Sequence, residues 1–187
     1  MDSFKINDRA VGAGAPCLLV GEVGQAHDGS LGMAHQFVEL VAKSGFDAIK
    51  FQAHIASEES TLDEPFRIIS HSQDATRYDY WKRMEFSPEQ WKGLADHARQ
   101  RQLIFLSSAF SVDALTMLVD LGMKVVKVAS GEVSHMLFME KVRDTGLPVF
   151  LSTGMSDWTE IDKTIKLLVQ KNIPVVVMQC TSQYPTG

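Results

Sequence analysis

Residues 21–30 read GEVGQAHDGS and follow the apolar run Cys17-Leu18-Leu19-Val20. The run has the composition of a buried strand. The stretch behind it presents Glu22, His27 and Asp28 between Gly21, Gly24 and Gly29. A tight turn needs one or two glycines and a short polar residue. It has no need of a glutamate at the end of a core strand, so Glu22 asks for a chemical reason.

The same grammar continues downstream. Short β-rich runs are expected at Cys17–Val20, Ala48–Phe51, Leu103–Leu106, Val125–Val128, Pro148–Leu151 and Pro174–Met178. Helical segments with readable ends separate them. Ser30 caps a helix carrying Leu31, Ala34, Val38 and Val41, which Gly45 closes. Ser87-Pro88-Glu89-Gln90 is a capping box with proline at the first helical position. Ser111 precedes Val112, Leu115, Leu118 and Val119, with Gly122 as the stop. Ser134 or His135 opens a short helix that ends by Gly146, and Asp157-Trp158-Thr159-Glu160 starts another that runs to Asn172. Such alternation implies an α/β fold with parallel strands, either an open doubly wound sheet or part of an eight-fold barrel. Residues 53–86 interrupt the rhythm, and Tyr78, Tyr80 and Trp81 are candidates to anchor that segment over a site.

Polar residues gather where each strand ends. Glu22 closes the first, and Lys50 and Gln52 share one face of the second. Ser107-Ser108 follow the third; Lys127 lies in the fourth, ahead of Ser130-Gly131-Glu132. Ser152-Thr153-Gly154 and Gln179-Cys180-Thr181-Ser182 follow the fifth and sixth. Buried parallel strands normally read as unbroken apolar runs, and a lysine inside one is costly unless it meets an anion. Two such lysines among hydroxyls suit a phosphate or carboxylate at the C-terminal mouth of the strands. No dinucleotide fingerprint, P-loop or serine elbow occurs, and the six histidines show no compact metal-ligand spacing.

The whole chain of 187 residues is 45% hydrophobic with a formal charge of −5, enough for one domain and a poor match to nucleic acid or a polybasic membrane surface. No apolar run approaches a membrane span and the N-terminus MDSFKINDRA is too polar for a signal peptide, so a cytoplasmic protein is expected. Cys17 and Cys180 lie in apolar runs and read as reduced core thiols.

Taken in order, GEVGQAHDGS, AIKFQ, FLSSAF, KVASGE, LSTGM and QCTSQYP resemble the motifs of the sialic acid synthase family, which includes legionaminate and pseudaminate synthases. The resemblance runs from about residue 17 to the end of the chain. It implies a TIM-type (β/α)8 barrel that condenses phosphoenolpyruvate with an N-acyl amino sugar such as N-acetylmannosamine, releasing phosphate. On that resemblance, Glu22 is the general base for the attacking water. Lys50, Ser108, Lys127, Ser130 and Ser152 hold phosphoenolpyruvate, and Gln52, Glu132 and Tyr184 face the sugar. His27 and Asp28 shape the turn. Ala26, Ala109, Gln179 and Ser182 stand where the family more often has Asn, Pro, His and Asn.

A full barrel of this kind takes about 250 residues, whereas six strands are counted here, so an incomplete barrel of about six units forming a single domain over residues 1–187 is expected. The resemblance further implies a divalent metal, Mn2+ or Mg2+, held by two histidines from strands seven and eight, beyond this chain. It also implies a C-terminal antifreeze-like domain and a homodimer in the complete form. Two other readings stand beside it: a Schiff-base aldolase with Lys50 or Lys127 as nucleophile, and a short non-catalytic binding or assembly protein.

Overall fold

The computed structural model describes residues 3–66 and 73–183. In chain order its elements are strands β1 (Ser3–Ile6), β2 (Arg9–Gly12) and β3 (Val20–Gly24), helix α1 (Leu31–Lys43), strand β4 (Ala48–Ala53), and helices α2 (Ala56–Glu59), α3 (Arg77–Met84) and α4 (Pro88–Gln100). Strand β5 (Ile104–Ala109), helix α5 (Val112–Asp120), strand β6 (Val126–Val128), a single 3-10 turn (Ser130–Glu132), helix α6 (Met136–Asp144), strand β7 (Val149–Ser152), helix α7 (Trp158–Val169) and strand β8 (Val175–Met178) follow. Two compact units emerge, one of Leu18–Leu121 and one that joins Met1–Cys17 to Gly122–Gly187.

In the first unit β3, β4 and β5 are parallel neighbours. Glu22 pairs with Lys50, Lys50 with Leu106, and Gln52 with Ser108, so all these side chains share one face of the sheet. The opposite face is packed by helices: Phe51 meets Trp91 of α4 edge-on at 5.9 Å. Trp91, Leu94, Ala95 and Ala98 of α4 and Ala34 and Val38 of α1 are all buried there. These helices form where the caps direct. Ser30 Oγ accepts from the Met33 N–H, and Ser87 with Gln90 forms the complete capping box.

The β3 strand begins three residues later than expected. Cys17–Leu19 precede it; the Leu19 N–H goes to the Asp47 carboxylate at 2.8 Å instead of a ladder partner. GEVG is therefore part of the strand, and a register shift between Glu22 and Gly24 leaves Val23 as the extra residue of a bulge. The 53–86 segment is also more regular than a loop, because it contains α2 and α3. Thr76 and Asp79 form a capping box at the start of α3.

The second unit holds an antiparallel hairpin, β1 with β2, and the parallel strands β6, β7 and β8. The hairpin turns on Asn7-Asp8, with Asn7 at φ +53°; an Asn-led two-residue turn suits that left-handed conformation. β6 and β7 are buried throughout, while β8 is half-buried. α6 and α7 pack together, and the buried Thr164 hydroxyl of α7 donates to the Val133 carbonyl at 2.7 Å. Asp157 and Glu160 complete the capping box of α7. The cysteines are not core thiols: Cys17 is exposed and Cys180 half-buried, because both lie outside the strands that their apolar neighbours build.

Candidate active site

The bulge in β3 aims Glu22 along the sheet. Lys50 Nζ lies 2.9 Å from Glu22 Oε1 and 2.8 Å from Oε2. The lysine side chain is 8% exposed and the carboxylate 52%, so a buried cation meets a carboxylate that solvent and small solutes can reach. Gly24, at φ +54°, makes room for this group. A Cβ there would stand 3.1 Å from Glu22 Oε1 and 3.4 Å from the Gln52 amide nitrogen. Gln52 thus sits beside the ion pair, and Ser108, 1% exposed, shares its face through the β4–β5 register.

The turn after β3 is fixed from below and from one side. His27 is completely buried against Phe86, with ring centroids 4.7 Å apart, and its Nδ1 accepts the Gly29 N–H at 3.1 Å. Burial drives its pKa down to about 4, against the smaller raising effect of Asp28. Asp28 pairs with Arg83 of α3, which also holds the Asp74 carboxylate through Nε and Nη2. Gly29 (φ +77°) lets α3 close in, since a Cβ there would be 2.3 Å from the Arg83 carbonyl oxygen. His27 and Asp28 therefore act on the shape of the turn.

A second group lies in the other unit. Lys127 is 7% exposed and donates to Ser152 Oγ and to the Val128 carbonyl, both at 2.7 Å. The β6–β7 register pairs Lys127 with Phe150, so Lys127 and Ser152 project from one face. Ser130 Oγ accepts the Gly154 N–H at 3.2 Å, which ties the turn after β6 to the turn after β7. A buried ammonium, two hydroxyls and backbone N–H groups form a donor set suited to an anion. Glu132 is half-buried and 3.1 Å from His135 Nδ1. Tyr184 lies outside the described residues.

Several features had no clear signal in the sequence. His54, two residues past Gln52, is 3% exposed and stacked between Trp81 (3.8 Å) and Phe110 (4.3 Å). Its Nδ1 is 2.6 Å from Glu59 Oε2, and Glu59 also accepts the Ile55 N–H. Trp81 thus anchors the 53–86 segment on a histidine at the end of β4. Arg83 stacks over Tyr80 at 5.4 Å, and Tyr78 is half-buried. The alternation of Lys50, Gln52 and His54 would have placed His54 on the site face; nothing local points to Glu59 or Arg83. Among the described residues no group of three or more His, Cys, Asp or Glu is placed to hold a metal ion, and no helix is long and apolar enough to cross a membrane.

Comparison with known proteins agrees with this geometry. An uncharacterized protein of Methanocaldococcus jannaschii is 33% identical over 187 residues, covering 100% of this chain and 52% of that protein. The N,N'-diacetyllegionaminic acid synthase of Campylobacter jejuni is 28% identical over 174 residues, 90% of this chain and 52% of the relative. The chain thus spans about half the length of these relatives. The crystal structure of N-acetylneuraminic acid synthetase from Leptospira borgpetersenii superposes with a TM-score of 0.85 at 24% identity, over 99% of this chain and 61% of that one. That likeness, with parallel strands separated by helices, gives the fold as an incomplete α/β barrel. Residues 37–187 match the NeuB family. The motifs that resemble sialic acid synthases thus lie in a chain that belongs to the NeuB family.

Proposed function

We propose that this chain supplies the phosphoenolpyruvate-binding residues and the general base of a nonulosonic acid synthase in carbohydrate biosynthesis. The observation that carries the reading is Lys127, a buried lysine in a β-strand whose ammonium meets Ser152 Oγ at 2.7 Å. Lys127, Ser130 and Ser152 supply charge-assisted donors to an anionic group of phosphoenolpyruvate, and Lys50 and Ser108 supply the same chemistry from their own sheet. Gln52, Glu132 and Tyr184 are assigned to the amino sugar, an N-acetylmannosamine-like aldehyde.

The reaction then runs as a balanced condensation. The C2=C3 pair of phosphoenolpyruvate forms a bond to the sugar's aldehyde carbon. C2, now electron-poor, takes the oxygen of a water whose proton passes to Glu22. The hemiketal phosphate collapses, the C2–O–P linkage opens at carbon, and phosphate leaves a C2 ketone. Glu22 suits the base role because its carboxylate is reachable and is held by Lys50. The family resemblance assigns a divalent metal to polarisation of the aldehyde; the described residues offer no cluster for one, and no step above is routed through it. A single domain, a homodimeric complete form and a cytoplasmic location belong to the same reading.

A Schiff-base aldolase is disfavoured by the same contacts. A nucleophilic lysine needs a free lone pair, whereas Lys50 is engaged by Glu22, and Lys127 by Ser152 and Val128. Thermal unfolding with phosphoenolpyruvate tests the proposal. Ligand at about 100 times its Kd adds about 2.7 kcal/mol to a site that binds only the folded form, so Tm rises for the wild type and stays flat for Lys127→Met. A folded chain whose Tm ignores phosphoenolpyruvate would sink the reading.

A further inference from the structure

We propose that Cys180 is a reactive thiol at the edge of the Lys127–Ser152 group, open to oxidation by peroxide and to alkylation, and shielded when that group holds an anion. The shielding by phosphoenolpyruvate rests on the function proposed above; the reactivity of the thiol does not.

The register of β7 and β8 places it. Ser152 pairs with Met178, so the two side chains share a face, and Cys180 stands two residues further along the same row. Lys127 joins that face through its pairing with Phe150 and its hydrogen bond to Ser152. The turn after β7 folds directly onto the cysteine. A Cβ on Gly154 would lie 3.0 Å from Cys180 Cβ, 3.2 Å from its carbonyl oxygen and 2.7 Å from Ser182 Oγ, so only glycine lets the two segments close. Thr153 Oγ1 donates to the Met178 carbonyl at 3.0 Å and Ser182 Oγ to the Gly154 carbonyl at 3.0 Å, which lock the approach on both sides.

The surroundings are rich in donors. Burial raises the Cys180 pKa, but hydrogen bonding from the Ser152 hydroxyl and the Thr153 and Gly154 backbone, together with the Lys127 charge, outweighs it and leaves the thiol below its ordinary value. Cys180 is half-buried, so a small reagent reaches it. An electropositive, partly exposed position is where reactive cysteines occur.

The chemistry is simple to balance. The Cys180 thiolate attacks one oxygen of hydrogen peroxide; an S–O bond forms, the O–O bond breaks and hydroxide leaves. Sulfur loses two electrons to the peroxide and a sulfenic acid remains, which a thiol reductant returns to the free form. An anion on Lys127 and Ser152 competes for the donors that favour the thiolate, and also stands in the path of the reagent.

The test uses the chain as it is, at pH 7, with iodoacetamide or hydrogen peroxide plus dimedone, and peptide mass mapping to separate the two cysteines. The exposed Cys17 is the internal reference. Cys180 is expected to react about tenfold faster than Cys17 despite its lower exposure. Ser152→Ala and Lys127→Met should each slow Cys180 several-fold and leave Cys17 unchanged. Phosphoenolpyruvate should slow Cys180 alone. A Cys180 no faster than Cys17, or one indifferent to both substitutions, overturns the proposal. Fast labelling that phosphoenolpyruvate leaves untouched upholds the reactive thiol and overturns its shielding, which separates this inference from the functional reading.

Discussion

Lys50 Nζ contacts both carboxylate oxygens of Glu22, at 2.9 and 2.8 Å, across adjacent parallel strands. One partner is nearly buried and the other is half in solvent, so the pair lies between a surface ion pair and a buried one. Glu22→Gln leaves the buried ammonium facing a neutral amide. Urea unfolding of this chain should show a loss of about 1–2 kcal/mol, between the surface and buried limits. In the longer protein the same variant should bind phosphoenolpyruvate nearly as before and turn over about 100- to 10,000-fold more slowly, the usual worth of a general base. Normal turnover would remove Glu22 from that role.

Gly29 and Gly45 share φ +77° but not their surroundings. An alanine at Gly45 meets open space and should cost only the left-handed strain, about 1 kcal/mol. An alanine at Gly29 must also displace the Arg83 carbonyl, 2.3 Å from its Cβ. Chemical denaturation should therefore rank Gly29→Ala at least about 2 kcal/mol below Gly45→Ala. Equal losses would mean that α3 yields freely.

His27 titrates at about 4 when folded and near 6.5 when free. A lowered folded pKa means that the unfolded chain takes up the proton first. The contribution of neutral His27 is complete above pH 6.5 and is lost as pH falls towards 4. Between pH 7.5 and 5 this one group should remove roughly 2 kcal/mol of stability. His27→Asn should flatten that part of the stability profile, and an unchanged slope would show that other groups set it.

Ser152→Ala removes the hydroxyl that meets Lys127. A hydrogen bond to a charged group contributes about 1.5–3 kcal/mol, so phosphoenolpyruvate affinity measured by calorimetry should fall roughly 10- to 100-fold. Ser107→Ala is the contrast, because Ser107 pairs with Phe51 on the helix-packed side and donates to the Ser108 carbonyl. Equal effects on binding would place Ser152 outside the site.

Much of this was readable because the signals are local. Ser87 with Gln90 and Asp157 with Glu160 lie within four residues of each other, and their capping boxes form as the spacing predicts. The two-residue period of a strand was enough to put Lys50 and Gln52 on one face. The start of β3 was misread because apolar Leu18 and Leu19 look like strand, yet Leu19 spends its N–H on Asp47, 28 residues away. The box at Thr76 went unnoticed because its third residue is Asp, where Glu or Gln is the usual partner. Arg83 and Asp28 are 55 residues apart, and a bond across that distance leaves no local pattern. Cys180 looked like core because its neighbours are apolar, but the strand stops at Met178.

Within each unit every parallel strand pairs with the next one in the chain: β3 with β4, β4 with β5, β6 with β7 and β7 with β8. Such pairing needs only the closure of one helix-containing loop at a time, and the entropy of loop closure rises slowly with length. A chain leaving the ribosome can therefore complete each strand pair before the next strand is made. Translation order and assembly order coincide, and no early strand has to wait for a distant partner.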